Sequence, residues 1–367
     1  MKHTALFSPL QLGAIRLPNR IVMAPMTRMR AGPGNVPTAL NAEYYAQRAS
    51  AGLIIAEGTA ISADAQGYPN APGIYTPAQI AGWKRVTDAV HHRGGRIVLQ
   101  LAHNGRNSHS SLMPDGGPPR APSATVANIP ALTRDFQQVP PEMPREVGIA
   151  EIGQIVASFR EAAEKAMEAG FDGVELQGAN SHLIDQFLED GTNRRLDSYG
   201  GSPENRARFL LEIVEQVGSA VGHDRLGVRL SPFGQYGGIH DSNVLQLFSM
   251  VIKSLNGHIA YLHLIEGRGS ELGLSDTLHA DALNNARLFR PVFKGHLISA
   301  AAYAPDSAVQ AVESAWADAI AFGRHFLANP DLVERIREGW PLMPYDRSTF
   351  YGGSAHGYTD YGVHGVA

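Results

Sequence analysis

Residues 173–201 read GVELQGANSHLIDQFLEDGTNRRLDSYGG. The stretch begins as a buried strand, Gly173-Val174-Glu175-Leu176, and then sets Gln177, Asn180 and His182 within six positions. It closes on an Asn-Arg-Arg segment followed by Asp197, Tyr199, Gly200 and Gly201. Polar side chains gathered at the end of a barrel-type strand stand where catalysis is usually done.

Working outward from this strand, short apolar or β-branched runs recur at Arg20–Met23, Leu53–Glu57, Arg96–Leu101, Gly173–Gln177, Leu226–Ser231, Ile259–Leu264, Leu297–Ser299 and Ala319–Gly323. Each suits a strand covered on both faces. Amphipathic stretches separate them. Glu151–Ala169 places Ile152, Ile155, Val156, Phe159, Ala163 and Met167 on one face and stops at Gly170, and Pro203–Val221 has Pro203 near its first turn. Strands alternating with helices predict an α/β fold, a single (β/α)8 TIM barrel spanning residues 1–367 as one domain. The rival, an open doubly wound sheet, would carry a glycine-rich phosphate loop after its first strand. Ala24-Pro25-Met26-Thr27-Arg28 follows instead, and the cluster Gly267-Arg268-Gly269 lacks the third glycine. Two segments break the rhythm. Phe7–Leu17 reads as a hairpin at the barrel floor. The Pro-, Gly- and Ser-rich run His103–Gly148 follows the third strand and is expected to cover the catalytic face.

Composition narrows the function. The 367 residues are 44% hydrophobic and 18% charged with a net charge of −4, which fits a small-molecule enzyme rather than a nucleic-acid or membrane-surface binder. With no cysteine, disulfides, thiolate nucleophiles and cysteine metal sites are excluded. No metal site is expected: His91-His92 reads as a solvated helix end, and His103 and His109 lack companion ligands. No apolar run approaches the roughly 20 residues that cross a bilayer, and the first residues lack a signal-peptide pattern. A cytoplasmic monomer or homodimer acting on a small molecule is expected.

The strand ends carry the chemistry. They offer Pro25, Met26 and Thr27 after the first strand, Gly58 after the second, and Gln100 with the LAHNGR run after the third. Arg229 lies within GVRLSP, and Gly323-Arg324 lie within AFGRHFLANPDL. Together with DSYGGSPENRAR and the tail FYGG, this order resembles the old yellow enzyme family of FMN-dependent, NAD(P)H-using ene-reductases over nearly the whole chain. The resemblance implies non-covalent FMN. Gln100 then meets the pyrimidine edge of the flavin with both a donor and an acceptor. The Arg229 cation stabilises the anionic reduced ring, and Thr27 donates to O4. Arg324 and the backbone N–H groups of Ala301, Ala302 and Gly323 take the phosphate. NAD(P)H uses the same pocket, since no separate nucleotide domain is visible.

At several positions the chain departs from the family. Gln177 stands where members carry a histidine, and Asn180 where they carry histidine or asparagine. That pair holds the substrate's carbonyl or nitro oxygen. His182 replaces the tyrosine that protonates the α-carbon; here it is a proton donor, a base or pocket wall. Ala102 replaces a frequent tryptophan and suggests a bulkier substrate. Tyr68 and Tyr351 match aromatic pocket residues. Ala301 replaces a glycine, which strains the phosphate loop if φ must be positive. The function implied is reduction of an activated C=C bond in an electron-poor, bulky carbonyl compound. Two alternatives stand beside it: a desaturase or isomerase of specialised biosynthesis, and a weakly active flavin-binding protein.

Overall fold

The computed structural model describes residues 4–267 and 284–365, so Arg268 and Gly269 of the glycine cluster lie outside the described residues. In chain order the strands are β1 (Leu10–Leu12), β2 (Ile15–Leu17), β3 (Ile21–Met23), β4 (Leu53–Ala60), β5 (Ile97–Ala102), β6 (Arg120–Ala121), β7 (Ala131–Leu132), β8 (Gln138–Val139), β9 (Arg145–Glu146), β10 (Gly173–Gly178), β11 (Leu226–Leu230), β12 (Tyr261–Ile265), β13 (His296–Ala300) and β14 (Ala319–Phe322). Eight of them close into a parallel barrel in the order β10–β11–β12–β13–β14–β3–β4–β5. All eight strands expected from the sequence are present, most with ends shifted by a residue or two. β4 continues to Ala60 because a bulge between Ala56 and Thr59 carries it on beside β5. The extra residues turn Gly58 toward the barrel mouth, as bulges near functional sites often do.

Helices sheathe the barrel for the reason their sequences suggest. Helix Ile149–Glu168 buries Ile152, Ile155, Val156, Phe159, Ala162, Ala163 and Ala166, spaced three and four apart. Gly170, at φ 86°, ends it. Helix Pro203–Val221 starts where Ser202 accepts from the Asn205 N–H and ends before Gly222 at φ 96°. The expected hairpin is the antiparallel pair β1–β2. Its Leu10, Leu12, Ile15 and Leu17 form one apolar cluster with Val22, Ile55, Val98, Tyr261 and Ile298, which seals the bottom of the barrel. The long run after β5 lies over the opposite end and contains the pairs β6–β9 and β7–β8.

Above the floor the barrel interior becomes polar. Cross-strand register sets Glu175 beside Gln100, Gln177 beside Arg229, and Arg229 beside His263. Beneath that layer Tyr261 crosses the barrel over Gly227, where an added Cβ would come 2.2 Å from the ring. The tail is tied to the barrel mouth by buried arginines. Arg28 donates to the carbonyls of Phe350 (2.8 Å) and Gly357 (2.9 Å). Arg30 donates to Thr349 (2.9 Å) and His356 (3.1 Å).

Gly227→Ala tests the interior packing. It should destabilise the protein by about 1–3 kcal/mol through overpacking against Tyr261, read as a lower urea midpoint with an unchanged slope.

Candidate active site

The C-terminal ends of the barrel strands open into a cavity of about 660 Å³. Pro25, Met26, Thr27, Gly58, Tyr68, Gln100, Gln177, Asn180, His182, Arg229, Ala301, Ala302, Gly323, Arg324 and Tyr351 all line it. Residues from opposite ends of the sequence thus meet on one surface, at or just after the mouths of the barrel strands or in the tail.

The cavity floor is a hydrogen-bonded layer. Gln100 Nε2 donates to Glu175 Oε1 at 2.8 Å and to Gln177 Oε1 at 3.2 Å. His263 Nδ1 lies 2.9 Å from Glu175 Oε2, with both side chains fully buried. Burial opposes a charge on Glu175, yet His263, Arg229 and Gln100 together hold its carboxyl below the usual range. Burial also lowers His263, so the ring is neutral and its Nδ1 carries the proton that Glu175 accepts. Arg229 is pulled down to about 10 by burial, partly offset by Glu175 and Tyr261. It remains a cation, and its Nε is buried without a partner. Gly58 leaves room over this layer: a Cβ there would come 3.4 Å from Gln100 Oε1 and 4.0 Å from Thr27 Oγ1.

A strained turn presents Asn180 and His182. Asn180 and Ser181 take φ of 55° and 59°, a region that asparagine tolerates better than serine. The turn is pinned from several sides. Asn180 N–H donates to Ser231 Oγ (3.0 Å) and Ser181 N–H to Asp185 Oδ2 (2.8 Å). The Ser181 carbonyl accepts from Asn107 Nδ2 (2.7 Å) and Gln186 Nε2 (2.6 Å). His182 Nδ1 lies 3.1 Å from the Ala179 carbonyl and 3.3 Å from that of Asn180. A carbonyl can only accept, so Nδ1 carries the proton and Nε2 of the neutral ring has a lone pair. Burial lowers His182 to about 4 against the opposing pull of those carbonyls, with Arg229 and His103 adding repulsion. At neutral pH the ring is therefore neutral, with its lone pair on Nε2.

At the other end of the cavity the β13 loop turns through Ala301 (φ 85°) and Ala302 (φ 55°). The positive φ considered in the sequence is what the backbone adopts, and two consecutive alanines bear the cost. Arg324 follows Gly323 after β14, its guanidinium 5.7 Å from the Tyr345 ring centre.

The outer wall holds what sequence reading missed. Ala127, Ile129, Pro130, Leu132 and Phe136 of the run after β5 form an apolar side, and Tyr236, Tyr345 and Phe350 join them. Only the length of the run hinted at this. Tyr68 hydrogen-bonds through its hydroxyl to Tyr236, and Tyr351 sits at the rim, 47% exposed. Ala102 is 2% exposed and lies directly behind the part of the wall that Gly58 forms. It pairs with Ala60 beyond the β4 bulge, and its Cβ lies 3.6 Å from where one on the cavity-lining Gly58 would stand. Far from the site, at the opposite barrel end, Glu215, His223 and His258 bring potential ligand atoms within 4.8 Å of one another. Among the described residues no helix is long and apolar enough to cross a membrane.

Two outcomes follow from the strained loop and the neutral histidine. Ala301→Gly relieves roughly 1–2 kcal/mol of strain but loses about 0.4–1 kcal/mol to the freer unfolded chain, so the melting temperature should rise slightly; a fall would contradict the positive φ. His182 has a folded pKa of about 4 below its ordinary 6.5, so unfolding takes up a proton between these values. The stability tied to its neutral ring is complete above pH 6.5 and is lost as pH falls toward 4, up to about 3 kcal/mol. His182→Phe should flatten that acid-side decline in denaturation curves; a decline as steep as in the unmodified protein contradicts the assignment.

A model of the NADH:flavin oxidoreductase / NADH oxidase family matches residues 5–343. Flavin oxidoreductase hxnT of Emericella nidulans is 44% identical over 97% of this chain and 97% of its own. 12-oxophytodienoate reductase 7 of Oryza sativa subsp. japonica is 44% identical over 98% of this chain and 95% of its own. Among solved structures, morphinone reductase in complex with tetrahydroNAD superposes with a TM-score of 0.90 at 47% identity, covering 98% of this chain and 97% of that one. The old yellow enzyme homologue of Zymomonas mobilis superposes with a TM-score of 0.92 at 43% identity, covering 97% of this chain and 99% of that one. With a matching family model, these relatives and a closed barrel whose cavity gathers the strand-end residues, the chain belongs to the NADH:flavin oxidoreductase / NADH oxidase family, that of the old yellow enzymes.

Proposed function

We propose that the protein is an FMN-dependent oxidoreductase that reduces the activated C=C bond of an electron-poor, bulky carbonyl compound with NAD(P)H. The observation that carries this reading is the cavity floor. It has a buried cation with an unpartnered Nε at Arg229, an amide at Gln100, and space above them that a side chain at Gly58 would take. Those features fit the pyrimidine edge of a flavin, which needs donors, an acceptor and a positive charge in one plane. When bound, the flavin supplies the hydride that the electron-poor carbon receives, after taking it from the nicotinamide.

The chain's own residues supply the rest. Arg229 as donor and Gln100 as acceptor would hold the ring edge, with Thr27, Pro25 and Met26 beside it; both NH2 hydrogens of Gln100 go to Glu175 and Gln177, so only its Oε1 is left for the ring and not the donor-and-acceptor pair expected from the sequence. Arg324 and the backbone N–H groups of Ala301, Ala302 and Gly323 would hold the phosphate. Gln177 and Asn180 carry NH2 groups that would hold the substrate's oxygen. Neutral amides stabilise a developing enolate less than a charged donor, a difference of about 1–2 kcal/mol. The neutral His182 ring carries no proton on Nε2, so the proton for the adjacent carbon would come from solvent water. The apolar wall of Ile129, Leu132, Phe136 and Phe350 would take the hydrocarbon body of the substrate and exclude water. Similar proteins named for 12-oxophytodienoate and morphinone reduction support a ring-bearing enone. They weigh against the desaturase, isomerase and weakly active flavoprotein readings. We place the protein in the cytoplasm as a monomer or homodimer, without a nucleic-acid partner.

Anaerobic mixing tests this directly. NADPH or NADH should bleach the holoenzyme, and a cyclic enone added afterwards should restore its colour. Reoxidation should keep the same rate from about pH 5.5 to 8.5, because His182 does not titrate there. Bleaching with no enone response would favour a different reaction, and no bleaching would defeat the nicotinamide step.

A further inference from the structure

We propose that Glu175 is a positioning residue: it fixes the direction in which the cavity's amides donate and accept, and through Gln100 it turns Gln177 into the donor for a substrate oxygen. The inference rests on the reading of this cavity as an alkene-reducing flavin site. Glu175 is fully buried and is not part of the cavity wall, so any influence it has must pass through other side chains.

The chain of constraints starts at its charge. An ionised carboxylate only accepts hydrogen bonds. Gln100 must therefore turn its NH2 toward Glu175, as the 2.8 Å contact from Nε2 to Oε1 records. An NH2 has two hydrogens, and the second reaches Gln177 Oε1 at 3.2 Å. The Gln177 oxygen is thus committed to Gln100, which leaves the Gln177 NH2 for the cavity it lines. The alternative orientation of Gln100 would set its oxygen against the carboxylate, a repulsive contact between acceptors in a buried site. The second Glu175 oxygen is held by His263 Nδ1 at 2.9 Å, which fixes the carboxylate plane and sustains its ionisation. Glutamine amides are otherwise free to turn over. Here one buried charge, two strands deep in the register β5–β10–β11–β12, sets them both.

Glu175→Gln removes the strict acceptor while keeping the shape. The probe is 4-chlorophenol, whose phenolate oxygen stands in for the substrate oxygen, titrated into holoenzyme and followed by the change in flavin absorbance. The relay predicts affinity weaker by about tenfold with one FMN still bound per chain. Loss of a nearby negative charge on its own would tighten an anionic ligand, so unchanged or tighter binding overturns the proposal. Gln177→Ala should weaken the phenol similarly, and Glu175→Gln should add little in that background; an equal further loss means that Glu175 does not act through Gln177. Should Glu175→Gln fail to fold, or should the unmodified holoenzyme bind no phenol, neutron diffraction from deuterium-exchanged crystals of the unmodified holoenzyme decides. Deuterons on the cavity-facing atom of Gln177 support the relay, and a bare oxygen there overturns it. The second case counts against the ene-reductase reading and leaves the relay to be judged by the deuterons.

Discussion

A guanidinium and a carboxylate, Arg229 and Glu175, lie buried in the interior of this barrel, and the upper half of the molecule is arranged around them. Placing Arg229 there costs solvation, and burial lowers its affinity for its proton. Glu175, one strand away, offsets the cost and is kept ionised in turn by His263. Removing the carboxylate would leave the buried cation less well compensated, a loss that costs the more the less water reaches it. The pair therefore anchors the barrel's polar layer as much as it defines the cavity floor. A bound flavin whose reduced form carries negative charge would meet the cation at the one place in the barrel where it is already balanced from below.

The molecule separates the tasks of stability and chemistry along the barrel axis. Leu12, Leu17, Val98 and Ile298 close the floor with apolar packing. The opposite end accepts backbone strain: among the described residues six non-glycine residues at positive φ, Met29, Phe136, Asn180, Ser181, Ala301 and Ala302, line or border the cavity. Such conformations persist only where their surroundings over-determine them. For Asn180 and Ser181 those surroundings are visible in Ser231, Asp185, Asn107 and Gln186. The arginines that fasten residues 349–357 do the same for the rim that carries Phe350 and Tyr351.

Much of this was legible in the sequence. Strand cores announce themselves when both faces are apolar, so the eight barrel strands and the floor hairpin could be read one by one. The residues at strand ends could be read too, because a barrel sends them all to one face. What escaped depends on distances the chain does not display. The Glu175–His263 pair joins residues 88 apart in sequence, and only the barrel register reveals that they meet. Ala102 lies beside Gly58 across the β4 bulge, a neighbour that the pattern of β5 does not display. The tautomer of His182 follows from its contacts with two backbone carbonyls, which no side-chain pattern encodes. The backbone angle at Ala301 was framed as a question in the sequence and could be answered only by the fold.

The central claim is that one FMN sits at the top of the barrel, its ring over Arg229 and Gln100 and its phosphate at Arg324 and the Ala301–Ala302 turn. Fluorescence titration of the apoprotein with FMN and, separately, with riboflavin tests it most directly. One FMN per chain should bind, with riboflavin weaker by about a hundredfold for want of the charged phosphate contacts. Failure to bind FMN, or equal affinity for the two, would contradict the account.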